Sequence, residues 1–209
     1  MKKDTGSKKK KKGDGGKALK KLFAKEVNVN LGCGTHIIPE WVNIDNSIGF
    51  ESPYFLAGDA REIPLLSDTV DYLLCDNVLE HIPMSDIPVV LFEIRRVLKK
   101  GGRAIIIVPD FKNAVESWLK ANEDQQGFNP FTYLYTSEVI YGNQLHEGEY
   151  HKTAMSPGFL NYSLKMVGFR QMRMVMHPQF GDAPNYPGVR SVGKTLRQAE
   201  IVCDIIKTS

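Results

Sequence analysis

The chain lacks most of the marks that would assign it to the commoner classes. Its 209 residues hold only three cysteines, Cys33, Cys75 and Cys203. They are widely spaced and each sits in an apolar run, which suits reduced packing residues in a cytoplasmic protein, not a disulfide framework. No Cys-x-x-Cys pair and no histidine cluster occurs in the sequence, so spacing points to no metal. No stretch reaches the roughly 18 to 20 continuous apolar residues that span a bilayer, and the start of the chain has no apolar signal core. Positive charge is also scarce outside one end. Residues 1–25 carry eleven Lys against two Asp, a net of +9, whereas the remainder carries 16 Lys and Arg against 22 Asp and Glu, a net of −6. An acidic body argues against a nucleic-acid groove within the fold. The basic stretch Lys8 to Lys12 lies in a segment without core-forming residues after Met1, so residues 1–16 read as a disordered Lys-rich tail. One lysine block without interleaved aromatics suits a solubilising tail better than a nuclear address or a nucleic-acid contact.

What is present is a globular body, 17–209, large enough to bury one core. From Glu26 onward short apolar runs alternate with helical patterns, the layout of an α/β protein with a parallel sheet. Strands are expected at Val27–Leu31, Trp41–Ile44, Tyr54–Ala57, Val70–Cys75, Arg103–Val108, Arg170–Met176 and Ile201–Ile206. Ile87, Leu91, Ile94 and Leu98 fall on one face of a 3.6-residue period, and Lys99-Lys100-Gly101-Gly102 reads as that helix's stop. Ser156-Pro157 reads as the cap and first residue of a later helix with Leu160, Leu164 and Val167 inward, closed by Gly168. The first crossover is short. About nine residues separate the first strand from Trp41 and Pro39 interrupts them, so a loop or a single turn is expected where parallel strands usually have a helix.

The first strand runs into Gly32-Cys33-Gly34, and Asp45 follows eleven residues after Gly34. Glycines at a strand's carboxyl end let a ligand touch bare backbone, and an acid at the next strand's tip can accept hydrogen bonds from a ribose. Three ligands compete. A dinucleotide needs a helix amino end for its pyrophosphate and a third glycine where Ile37 stands. A nucleoside triphosphate needs Gly-Lys-Ser or Gly-Lys-Thr, which is absent. S-adenosylmethionine has adenosine but no phosphate, and Gly58-Asp59-Ala60 after the third strand supplies a carboxylate and an amide for adenine.

With these landmarks in order the chain resembles the class I S-adenosylmethionine-dependent methyltransferases, in particular a small type-11-like branch. The likeness rests on Asn30-Leu31-Gly32-Cys33-Gly34 before Trp41-Val42-Asn43-Ile44-Asp45, Val78-Leu79-Glu80-His81-Ile82 after the fourth strand, and Arg95-Arg96-Val97-Leu98 before Gly101-Gly102. The resemblance implies a Rossmann-like, seven-stranded, mostly parallel sheet with helices on both faces and the seventh strand antiparallel beside the fifth. It implies S-adenosyl-L-methionine as cofactor, S-adenosyl-L-homocysteine as product, and a cofactor-binding set of Asn30, Leu31, Gly32, Cys33, Gly34, Asp45, Asn46, Asp59, Ala60 and Asn77. The chain departs from the wider superfamily at Asn30, where an acid is usual, and at His36, where a third glycine is usual.

A sulfonium leaving group needs no acid, so catalysis can rest on orientation, with a base useful for a hydroxyl acceptor. His81, just past the fourth strand, is the first candidate, against a reading in which it only packs the helix start. Residues 111–158 include an expected cover over the acceptor site, helical near Ala114, Val115, Trp118 and Leu119 and weakly patterned beyond Ala121. There His151 is the second candidate, preferred to His146, and most of the segment's aromatics are expected to pack onto the sheet. Glu80 reads as a helix-start charge, Asp76 as a solvated strand end and Asp71 as structural. The function expected is methyl transfer to an oxygen or nitrogen of a small-molecule or sugar- or lipid-linked acceptor. The alternative is an inactive cofactor-binding partner subunit.

Overall fold

A computed structural model describes residues 26–46, 52–123, 130–145, 147–176 and 200–208. The Lys-rich tail and His146 lie outside these residues. All seven expected strands are present: β1 Asn28–Leu31, β2 Val42–Asp45, β3 Phe55–Ala57, β4 Val70–Asp76, β5 Leu98–Pro109, β6 Gln171–Met176 and β7 Glu200–Ile206. They form one sheet in the order β3-β2-β1-β4-β5-β7-β6. The pairs among β3, β2, β1, β4 and β5 are parallel, while β7 runs antiparallel to both β5 and β6. β7 is therefore the one reversed strand.

The helices are α1 Ile87–Val97, α2 Phe111–Glu123, α3 Pro130–Tyr141 and α4 Pro157–Met166, with 3-10 turns at Leu79–His81, Met84–Asp86 and Glu147–Glu149. Among the described residues no helix is long and apolar enough to cross a membrane. Alternation along the strands sorts the core into two layers. Val29, Leu31, Leu73, Cys75, Ala104, Ile106, Ile201 and Cys203 pack with Ile87, Leu91 and Ile94 of α1 and Leu160 and Leu164 of α4. On the opposite side Tyr72, Leu74, Ile105, Ile107 and Val202 pack with Trp41 and Ile38. No described helical residue belongs to that second cluster. The loop of the first crossover covers part of this face instead, and Trp41 meets Tyr72 edge to face with ring centroids 5.4 Å apart.

A buried amide pair holds that loop in place of a helix. Asn43, fully buried, accepts from the Asn30 side chain at 3.0 Å and from the Ile38 amide at 2.8 Å, and donates to the carbonyls of Ile38 and Trp41, both at 2.9 Å.

Two readings need correction. The α1 helix ends at Val97, and Leu98 is already extended and paired with Val70 in β5. Gly101 and Gly102 do not cap the helix; they bend β5 against the chain end, where the Gly101 amide donates to the Lys207 carbonyl at 2.7 Å and the Lys207 amide to Gly102 at 3.0 Å. The cap of α4 is as the sequence has it: the Ser156 hydroxyl accepts from the Phe159 amide at 3.2 Å, Pro157 opens the helix, and Gly168 beyond its end has φ +96°. The weakly patterned stretch after Ala121 contains a regular helix, α3. Several of the described aromatics of this region also face outward rather than onto the sheet: Trp118, Tyr133, Tyr141 and Tyr150 are all exposed.

Candidate active site

Register brings the carboxyl ends of the parallel strands to one edge, since Leu31 lies opposite both Ile44 and Cys75, and Asp45 opposite Ala57. At that edge β1 turns through Gly32 and Gly34, at φ +67° and +49°, a region that costs a residue with a Cβ. The Gly32 and Cys33 amides both donate to the Ile44 carbonyl, at 2.8 and 3.0 Å. The two glycines differ in their surroundings. A Cβ on Gly32 would lie 2.3 Å from a methyl of Val78, whereas one on Gly34 would meet nothing within 4 Å. The backbone at Gly34 thus faces open space, a cradle for a ligand. The Asp45 carboxylate accepts from the Gly34 amide at 2.8 Å, so the acid and the turn are one unit.

Around this unit the expected set divides. Leu31 points its side chain into the core and Cys33 is buried, leaving only their backbone for a ligand. The Asn30 side chain is also buried and donates to the His36 carbonyl at 2.8 Å and to Asn43. Its amide secures the first crossover, and the departure from an acid at this position has a structural cause.

After β3, the Gly58 amide donates to the Asp45 carbonyl at 3.0 Å, so the loop after β3 is tied to the end of β2. Ala60 packs against the edge of the core. The Asp59 carboxylate is already engaged: it accepts from the Arg61 amide at 2.8 Å, from the Arg61 guanidinium at 2.9 and 2.7 Å, and from Asn46 at 3.3 Å. The Arg61 guanidinium holds its pKa far below the ordinary carboxylate value. Arg61 also reaches Asp86 at 3.1 Å. The rest of the loop is clamped from α1, where Glu93 accepts from the Ile63 amide at 2.9 Å and Arg96 donates to the carbonyls of Ile63 and Leu65 at 2.9 and 2.8 Å. Sequence reading did not single out Arg61, Glu93 or Asn43; the i,i+3 spacing of Glu93 and Arg96 was the one available signal.

At the end of β4 the structure gathers acids. Asn77 has φ +53°, donates from its backbone to the Ile107 carbonyl at 3.0 Å, and bonds Asp76 at 3.0 Å. Glu200 opens β7 opposite Pro109. Burial pushes Asp76 up to about 6, Glu200 up to about 7 and Glu80 up to about 8, and the proximity of Asp76 raises the latter two further. Asp76 is therefore no solvated strand end. Glu80 does lie in the first turn of the Leu79–His81 helix, as expected, but it is only 2% exposed, and its Oε2 has no hydrogen-bond partner among the described residues. Asp71, by contrast, is structural as expected, accepting from the Val27 amide at 2.8 Å and from Lys99 at 2.6 Å.

The segment after α3 folds back onto the turn that carries Glu80. The Lys152 and Thr153 amides donate to the Glu80 carbonyl at 2.7 and 3.1 Å, and the Thr153 hydroxyl to Ile82 at 2.6 Å. This brings His151 against His81, with ring centroids 4.9 Å apart and planes at 80°. Nδ1 of His81 lies 3.2 Å from the Tyr150 carbonyl, and Nδ1 of His151 lies 2.8 Å from that of Val139. Both contacts require Nδ1 to carry the proton. Burial, then the neighbouring His151, holds the His81 pKa below the usual imidazole value. Spacing pointed to no metal, yet the fold draws one ligand-capable atom from each of Glu80, His81 and His151 to within 4.8 Å of one another.

Residues 16–106 match the family model described as a methyltransferase domain. No curated protein matches the chain. Among solved structures, a methyltransferase from Thermotoga maritima shares 18% identity over 93% of this chain and 88% of its own, with a TM-score of 0.55. One from Methanosarcina mazei shares 12% over 91% and 98%, TM-score 0.56, and one from Archaeoglobus fulgidus 13% over 91% and 90%, TM-score 0.52. At such identities the likeness speaks for the fold. The matched domain, the strand order and these neighbours are consistent with the class I S-adenosylmethionine-dependent methyltransferase family and with S-adenosylmethionine as cofactor.

Proposed function

We propose that the chain moves a methyl group to an oxygen or nitrogen of a small-molecule or sugar- or lipid-linked acceptor. The observation that carries this reading is the pairing, at one sheet edge, of an open glycine turn joined to Asp45 with two imidazoles beyond the neighbouring strand. When bound, S-adenosylmethionine supplies a methyl on a sulfonium that leaves as S-adenosylhomocysteine without acid assistance. Asp45 accepts hydrogen bonds from the ribose hydroxyls while its other contact keeps the Gly34 turn in shape. Gly32, Cys33 and Gly34 offer backbone, Ala60 and Asp59 frame adenine, and Asn46 and Asn77 flank the two ends. Because Asp59 is bound by Arg61, adenine shares that carboxylate with a guanidinium.

His81 and His151 stand on the acceptor side. With Nδ1 donating to a carbonyl, the neutral form of each ring has its lone pair on Nε2, the atom that would take an acceptor's proton. The acidic body favours acceptors other than nucleic acid. A second reading, a cofactor-binding partner without catalysis, is favoured by one observation: Asn30 replaces an acid and is committed to the crossover loop. Radiolabelled methyl transfer from S-adenosylmethionine into extract fractions separates the two. The catalytic reading expects label in a discrete acceptor, reduced at least about tenfold by His81→Ala. Cofactor binding with no label in any fraction would leave the second reading.

A further inference from the structure

We propose that Glu80, His81 and His151 hold a divalent cation on the acceptor side of the cofactor site. Three independent features support it. The first is convergence: two residues of the Leu79–His81 turn and one from 70 positions further along the chain bring a carboxylate oxygen and two ring nitrogens within 4.8 Å of one another. Ligands around a tetrahedral centre with bonds near 2.1 Å sit roughly 3.4 Å apart. The contraction needed is about 1.4 Å, the scale of a side-chain torsion adjustment.

The second is orientation. Metal-binding imidazoles commonly donate their other ring N–H to a carbonyl, which fixes the tautomer and aims the free lone pair. Both rings here do so, His81 to Tyr150 and His151 to Val139. The segments that carry the ligands are tied together as well, because the Lys152 and Thr153 amides bond the Glu80 carbonyl and the His151 amide bonds the Tyr141 carbonyl at 3.1 Å. The ligand set is thus braced before any ion arrives. The third is the orphan. Glu80 is buried in contact with nothing that satisfies Oε2 among the described residues, and a buried acceptor without a partner is costly. A cation between the carboxylate and the two imidazoles supplies the missing partner.

Two imidazoles and one carboxylate suit Mn²⁺, Co²⁺ or Zn²⁺ better than Ca²⁺, which takes oxygen ligands. Three protein ligands leave positions open, and the chemical class that fills them is an acceptor with two adjacent oxygens, such as a vicinal diol. This last step rests on the function proposed above. Bound to the cation, an acceptor hydroxyl loses its proton to water more readily and presents its oxygen in a fixed direction. The imidazoles then act as ligands to the ion, and their lone pairs no longer take the proton themselves.

The test is a Co²⁺ titration of the full chain after chelator treatment, read by the visible absorption of the bound ion. The expected result is one Co²⁺ per chain, with affinity falling about 100-fold or more in His151→Ala and in Glu80→Gln. The affinity for S-adenosylmethionine, measured by calorimetry on the same variants, should change by less than about threefold, which shows them folded. His81→Gln gives a second ligand variant should either of these fail to fold. Co²⁺ binding that neither variant weakens, or no binding by a wild-type chain that binds S-adenosylmethionine, overturns the cation site and leaves the methyltransferase reading intact. Stoichiometric Co²⁺ binding with no S-adenosylmethionine binding does the reverse.

Discussion

Gly32 shows how much one residue's missing Cβ can decide. A side chain there would need φ +67° and would press on Val78. Gly32→Ala should therefore destabilise the fold by about 2–3 kcal/mol in urea unfolding, and adding Val78→Ala should recover only part of it, because the contact is relieved and the backbone strain is not. Asn43 is comparable on the polar side. Its removal would orphan the Asn30 amide and the Ile38 backbone, so Asn43→Ala should cost about 2–4 kcal/mol by the same measurement. Single residues were also where the sequence was hardest to read. The glycine turn and Asp45 carry their meaning in spacing along the chain and could be found. The burial of Glu80 could not, since it arises from tertiary packing around the turn onto which residues 152 and 153 fold back. Asp59 was legible as an acid after β3, but nothing in a linear string says that Arg61 will chelate it.

Elements were legible where one face is buried and the other is wet. All seven strands, α1 and α4 have such faces or clear punctuation. The helix Pro130–Tyr141 does not: its apolar residues go all the way round, and Tyr133 and Leu134 remain exposed, so periodicity gave no signal. The end of α1 was misplaced by one residue because cations and glycines served the strand that follows. Ser156 on α4 makes a local prediction: Ser156→Ala should cost about 1 kcal/mol, read from the shift in urea midpoint. The α1 clamp makes another. The Arg96 guanidinium holds Glu93 below its ordinary carboxylate value of 4.5. Its stabilising contribution is complete above that value and is lost as pH falls through the lower folded one. Melting temperature should accordingly drop on acidification below about pH 4.5, and Glu93→Gln should flatten that acid limb.

At the scale of the molecule, the sheet order explains the division of labour. Parallel strands deliver their carboxyl ends to a single edge, and the reversed β7 brings Glu200 to the same edge from the other side. The overall topology was readable because alternating strands and helices admit few arrangements. The segment from α3 to residue 153 was legible only in part: His151 was picked out from the sequence, but the helix and the fold-back of residues 152 and 153 onto Glu80 depend on tertiary contacts. The central claim is that the edge formed by Gly34 and Asp45 binds S-adenosylmethionine. Isothermal titration of the full chain with S-adenosylmethionine, beside Asp45→Ala, tests it most directly. The account predicts one site per chain and an affinity at least about tenfold weaker in the variant, the effect of losing a charged hydrogen-bond acceptor; no binding by the wild-type chain, or equal affinity in both, would contradict it.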